Sequence, residues 1–192
     1  MFTKLGKILI QNISSSDKKY AFLPIVSSND LPFYIEHKDY GGTLRYISPT
    51  FYNGDFSYLA GSVTVSGSAS SGIIVGSGDT PATEDDYCLE EKINSLTGTV
   101  ASPSSGFDSV NNNYYSIFTL SLTNNTQEAV TVKEIGRIAS FNHSNSKGGT
   151  SANARECHLL ERTVLESPVT IEAGESALIE YRIDFPVIED PE

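Results

Sequence analysis

Ala177-Leu178-Ile179-Glu180-Tyr181-Arg182-Ile183-Asp184-Phe185 is the stretch that decides the fold. In an extended chain Ala177, Ile179, Tyr181, Ile183 and Phe185 fall on one side, and Leu178, Glu180, Arg182 and Asp184 on the other. A dry face and a wet face separated at a period of two describe a half-buried strand of an antiparallel sheet. A helix would scatter the same residues around its circumference.

Working back from this strand, Glu172-Ala173-Gly174-Glu175 reads as a turn, 169–171 as a short strand, Ser167-Pro168 as a further turn and 157–165 as another strand. Earlier still, Phe118, Leu120 and Leu122 alternate with Thr119, Ser121 and Thr123, and Asn124-Asn125-Thr126-Gln127 ends the run. Val130 and Val132 resume the alternation. Ile135 and Ile138 then fall out of phase around Gly136, so we expect one strand with a bulge or bend. Residues 142–156 contain Gly148-Gly149 among many Ser and Asn, with almost nothing to bury, and are expected to be an exposed, mobile connection.

The first 110 residues are less regular, with candidate strands at 7–13, 19–26, 44–47, 62–65 and 72–75. Ser66-Gly67-Ser68-Ala69-Ser70-Ser71-Gly72 suits a hairpin tip or a linker, and 102–109 a loop. The fold class that follows is all-β: one antiparallel β-sandwich, immunoglobulin-like or jelly-roll, over residues 1–192, with an extended, irregular N-terminal arm. The alternative is a division into 1–111 and 112–192, since domain borders favour polar stretches.

Composition agrees with sheet, because Ser, Thr, Asn and Gly fill much of what the 39% apolar residues leave. Lys and Arg number 13 against 24 Asp and Glu, a formal charge of -11. That balance opposes the counterion release that drives nucleic-acid binding, so no direct nucleic-acid partner is expected. No apolar run has the length of a signal-peptide core or a membrane span, so neither a membrane partner nor export is expected, and synthesis in a cytosol is. In that compartment a bridge between Cys88 and Cys157 is dispensable.

Catalysis needs a nucleophile or metal, a base and donors for developing charge, and no complete set can be assembled by spacing. None of His37, His143 and His158 sits in a spacing that offers two ligands to one zinc ion. Cys157 and His158 are neighbours that point to opposite faces of a strand, which argues against a thiolate–imidazole pair and for a buried Cys beside an exposed His. His143 falls in the 142–156 connection, where a solvated imidazole is the plain reading. A hydrolase using paired carboxylates remains a third reading with no residues to carry it.

The most conspicuous local motif is Gly76-Ser77-Gly78-Asp79-Thr80-Pro81-Ala82-Thr83-Glu84-Asp85-Asp86-Tyr87. As a phosphate cradle it lacks a third glycine and a Gly-Lys-Ser/Thr ending, and its acids repel phosphate. As a calcium loop it lacks alternating acidic ligands. The structural reading is that the glycines allow unusual backbone, Pro81 stiffens the turn, and Asp85 and Asp86 cap backbone amides before Tyr87 and Leu89 dock. No cofactor is expected. Phe33, Tyr34, Tyr40, Tyr46, Phe51, Tyr52, Phe56 and Tyr58 form an irregular aromatic stretch that either clasps a neighbouring subunit or closes the edge of the sandwich. Together with Asp79, Asp85, Asp86, Tyr87 and His143 they are the interaction candidates.

Two segments resemble structural proteins of tailed bacteriophages, particularly accessory head, neck or tail components. One is Gly76-Ser77-Gly78-Asp79-Thr80-Pro81 continuing to Asp86-Tyr87-Cys88-Leu89-Glu90. The other runs from Ser116 to Phe185 and includes Phe118-Thr119-Leu120-Ser121-Leu122-Thr123-Asn124-Asn125, Val130-Thr131-Val132-Lys133-Glu134-Ile135-Gly136 and Val169-Thr170-Ile171-Glu172-Ala173-Gly174-Glu175-Ser176. The resemblance implies a non-enzymatic virion subunit, made in the host cytoplasm, whose partners are copies of itself and other virion proteins. A host-surface module that binds a glycan is the alternative, with Tyr side chains and the 142–156 connection near its site.

Overall fold

The computed structural model of the chain describes residues 35–47, 64–65, 71–101, 104–144 and 155–186. The candidate strands at 7–13 and 19–26 and the rest of the N-terminal arm lie outside the described residues. The elements are β1 (Ile35–Lys38), β2 (Leu44–Ile47), β3 (Thr64–Val65), β4 (Ser71–Gly76), β5 (Leu96–Val100), β6 (Ser104–Asp108), β7 (Asn113–Asn124), β8 (Val130–Ser144), β9 (Arg155–Ile171) and β10 (Ser176–Pro186). Among the described residues there is no helix, and so none long and apolar enough to cross a membrane.

Two long antiparallel pairs make the frame. β10 runs against β7 from Ser176 opposite Thr123 to Pro186 opposite Asn113, and β9 runs against β8 from Ile171 opposite Val130 to Arg155 opposite Asn142. β5 and β6 pair with the other edge of β7, β4 with the other edge of β8, β2 with the last two residues of β8, and β1 with β2. β3 bridges β4 and β5, and the sheet folds over so that its β7 and β10 half packs on its β4, β8 and β9 half. The result is an all-β sandwich.

The alternation read from the sequence is the alternation observed. Phe118, Leu120 and Leu122 of β7 are fully buried, and Ile179, Tyr181 and Ile183 of β10 face them. Each such side chain contributes roughly 1.5–3 kcal/mol by leaving water. Ile73 and Val75 of β4, Leu96 of β5, Val132 and Ile135 of β8 and Ile171 of β9 complete this main core. On the opposite face of β8 lies a second cluster, Ile74, Leu89, Ile138 and Leu159, with Tyr40 and Cys157 packed against it. β8 is therefore covered on both faces from 134 to 139, which is why its two isoleucines fall out of phase. The pairing with β9 slips between Val132 and Glu134 and again between Arg137 and Ile138; β8 is one strand, as expected, but the extra residues, 165–168 and Leu160, lie on β9 and not on β8.

Four expectations are corrected. Ser167-Pro168 is not a chain reversal: β9 continues through it, and residues 165–168 bulge opposite Lys133, where Pro168 has no ladder hydrogen bond to forfeit. Residues 104–108 are an edge strand rather than a loop, hidden from sequence reading because an edge strand with two wet faces shows no alternation. The 142–156 connection is shorter than expected, since its first three residues belong to β8 and its last two to β9. β3 pairs with β4 in parallel, so the Ser-rich stretch between them is not the tip of a hairpin joining the two.

Candidate functional site

The glycine-rich segment that follows β4 does hold an anion, and the anion is the protein's own. Glu134 of β8 is fully buried, and its Oε1 accepts hydrogen bonds from the backbone amides of Gly78 at 3.2 Å and Glu91 at 2.9 Å. Its Oε2 accepts from the amide of Glu90 at 3.2 Å and from Arg162 Nε of β9 at 2.7 Å. A methyl group on Gly76 would collide with Glu134 Oε1 and stand 2.6 Å from the Glu91 carbonyl oxygen; one on Gly78 would collide with the Glu90 side chain and stand 2.8 Å from Glu134 Oε1. These glycines are needed for close approach to a carboxylate, not for a left-handed backbone.

Arg162, also buried, spreads its donors across the same loop. Nη1 meets Asp86 Oδ2 at 2.9 Å, Nη2 donates to the Thr80 carbonyl at 3.2 Å and lies 3.6 Å from Glu90 Oε2. Burial works against the guanidinium's charge, but the hydrogen bonds to Asp86 and Glu134 outweigh it and hold the arginine above its ordinary range. Burial likewise works against ionised Asp86, and the Thr83 amide and Arg162 outweigh it, so this carboxyl sits below its ordinary range. Asp86 caps Thr83 through its amide at 3.0 Å and hydroxyl at 2.8 Å, and Glu90 Oε2 does the same for Thr80 at 2.9 and 2.8 Å. Glu134 and Arg162 thus fasten the 77–91 loop to β8 and β9, and Asp86 and Glu90 brace it from within.

The other candidates are placed as follows. Asp79 is exposed and ion-paired with Lys133 at 2.8 Å, and Asp85 is exposed. Tyr87 is half-buried under the Lys38 ammonium, 4.9 Å from the ring centroid. Leu89 docks into the second cluster beside Tyr40, whose hydroxyl oxygen accepts from the Leu89 amide at 3.2 Å and whose phenol burial pushes up to about 12. Tyr46 is half-buried on β2. Phe33, Tyr34, Phe51, Tyr52, Phe56 and Tyr58 lie outside the described residues. His143 belongs to β8, opposite Ile47 of β2, and not to a loop. Cys88 and Cys157 form no disulfide, and both are half-buried. No group of three or more metal-ligating side chains occurs among the described residues.

The exposure expected of His158 is corrected by the structure. The opposite orientation of Cys157 and His158 holds, but β9 is covered on both sides here: Cys157 packs on the second cluster and His158 is fully buried, its ring 5.6 Å from that of His37 on β1. Sequence reasoning also passed over Glu134 and Arg162. The available signal was charges set among the apolar residues of two strands, Lys133, Glu134 and Arg137 in one and Glu161 and Arg162 in the other, since buried charges come paired.

A second surface was hidden in the stretch read as loop. Phe107 of β6 and Tyr114 of β7 stand opposite each other with ring centroids 5.1 Å apart, and Val110 lies in the turn between the strands. Tyr114 has the parity of Phe118, so the pair continues the core face beyond the end of the core, and the three side chains are 49%, 59% and 90% exposed. Nearby, Arg182 stacks on Tyr115 at 4.4 Å and pairs with Asp108 at 2.9 Å. No family model, no curated protein and no solved structure matches this chain.

Proposed function

We propose that the protein is a non-enzymatic structural subunit of a phage particle, which associates with copies of itself and with other virion proteins through the overhanging β6–β7 hairpin. The observation that carries this reading is the exposed pair Phe107 and Tyr114, aligned with the core face yet left in water, with exposed Val110 in the turn beside them. Solvent-facing apolar groups that adjoin one another on a rigid sheet are the usual mark of a protein contact. The loop clamp adds support of a second kind, because Glu134, Arg162, Asp86 and Glu90 are engaged in holding backbone and so serve rigidity. The bacteriophage resemblance supplies the kind of assembly.

The test has two arms: the solution mass of the full chain, and location of the subunit in density of purified particles by electron microscopy. An oligomer found in particle density supports the reading. A strictly monomeric protein missing from the particles overturns it.

A further inference from the structure

β10 is the outermost strand of its half of the sandwich. It pairs with β7 alone, residue for residue from Ser176 to Pro186 and without a slip. Two bonds on β7 decide which backbone groups of β10 face outward. The Asn124 amide donates to the Glu175 carbonyl at 2.9 Å, and the Thr119 carbonyl, on the side of β5, accepts from the Ala101 amide at 3.0 Å. Even-numbered residues of β7 therefore bond β10, and in the register of the pair the odd-numbered residues of β10 bond back to β7. The amides and carbonyls of Leu178, Glu180, Arg182 and Asp184 point away from the sheet.

A row of outward amides and carbonyls is a template for another strand, and sheets commonly guard it with short, bulged or proline-bearing edges. Among the described residues β1, β6 and β9 also have a single strand neighbour, and each is guarded in this way. β1 has four residues and β6 five, while β9 bulges twice and carries Pro168. β10 has 11 residues and no bulge, and its proline, Pro186, stands at the very end.

Charge selects what can pair there. Ser176, Leu178, Glu180, Arg182 and Asp184 form the exposed face of β10, with Leu178 73% exposed. Arg182 is held by Asp108 at 2.9 Å and Asp184 at 2.7 Å and lies over the Tyr115 ring. Glu180 stands opposite Thr119 and has no cation within ion-pair reach among the described residues. Three carboxylates, Glu180, Asp184 and Asp108, thus face one guanidinium, and the rim is acidic. A second copy would bring the same acids, a formal charge of -11 and an Arg182 already engaged, so self-pairing is opposed. A strand with Lys or Arg facing Glu180 meets no such opposition.

We infer that the outer edge of β10 is a strand-addition site for another protein: an extended segment that is basic on the face meeting Glu180 and apolar on the face meeting the core rim at Ile179, Tyr181 and Ile183. Backbone hydrogen bonds supply the affinity, and the alternate side chains choose the partner. The site does not include Phe107 or Tyr114, so its test is independent of the hairpin contact.

Amide hydrogen exchange on the full chain tests this with two probes, a short peptide alternating valine and lysine and its valine–glutamate counterpart. The lysine peptide is expected to raise protection of the Leu178, Glu180 and Arg182 amides by about tenfold, while Ile179 and Tyr181, already bonded to β7, change little. The glutamate peptide should leave all of them unchanged, and Glu180→Lys should reverse the order of the two peptides. Leu178→Pro removes one outward N–H and no bond to β7, so it should keep the fold and lose the effect of the lysine peptide. Should that variant not fold, the exposed substitution Glu180→Lys still decides. Unchanged protection with the lysine peptide at millimolar concentration overturns the inference, as does equal protection by both peptides. Protection that rises with the concentration of the chain alone assigns the edge to a second copy and overturns the basic partner.

Discussion

Glu134 shows how far a single side chain determines this structure. Its carboxylate answers three backbone amides and one guanidinium in a place without water, so replacing it takes from Arg162 its closest carboxylate and leaves three loop amides without their acceptor. Glu134→Leu is expected to cost about 3–5 kcal/mol in urea denaturation, the cost of breaking a buried ion pair from one side. Adding Arg162→Met should cost less than the sum of the single losses, and a cycle that proves additive would show that the two groups do not act as a unit. Gly76→Ala tests the cradle from the other side: a methyl group 2.6 Å from a carbonyl oxygen forces the loop outward, at about 1–3 kcal/mol. Wild-type stability after that substitution would mean that the loop yields freely.

At the scale of strands and turns, Asn124 closes β7 and ties three segments together. Its Nδ2 donates to the carbonyls of Glu128 at 2.7 Å and Ile171 at 2.9 Å, its Oδ1 accepts from the Thr126 amide and hydroxyl, and its backbone bonds both Gly174 and Glu175. Gly174 turns there at φ 75°, which suits glycine best. Asn124→Ala leaves the buried Ile171 carbonyl unpaired and should lower stability by about 2–4 kcal/mol with an unchanged denaturant slope; an effect within ordinary surface scatter would contradict this role. The same elements show what was legible in the sequence. β7 and β10 each have one dry and one wet face, so their pattern is their structure. β6 has two wet faces and β8 is covered on both sides for six residues, and in either case a period of two carries no information. The clamp and the histidine contact were illegible for a different reason: 28 residues separate Glu134 from Arg162 and 121 separate His37 from His158, so only the register of β8 with β9 and the docking of β1 bring them together.

For the whole molecule, charge and apolar surface pull in opposite directions. A formal charge of -11 makes like subunits repel, while Phe107, Val110 and Tyr114 lose free energy by staying in water. Association through the hairpin should therefore tighten as salt rises, because the Debye length shortens from about 30 Å at 0.01 M to about 10 Å at 0.1 M and the repulsion fades while apolar burial does not. Contact built on complementary charges would weaken over the same range. Sedimentation of the full chain across that interval separates the two, and Phe107→Ser with Tyr114→Ser locates the surface. Both side chains are half exposed, so the double variant should keep wild-type stability within about 1 kcal/mol while losing association. A variant that still associates moves the contact away from this hairpin; association that falls with salt assigns it to charge.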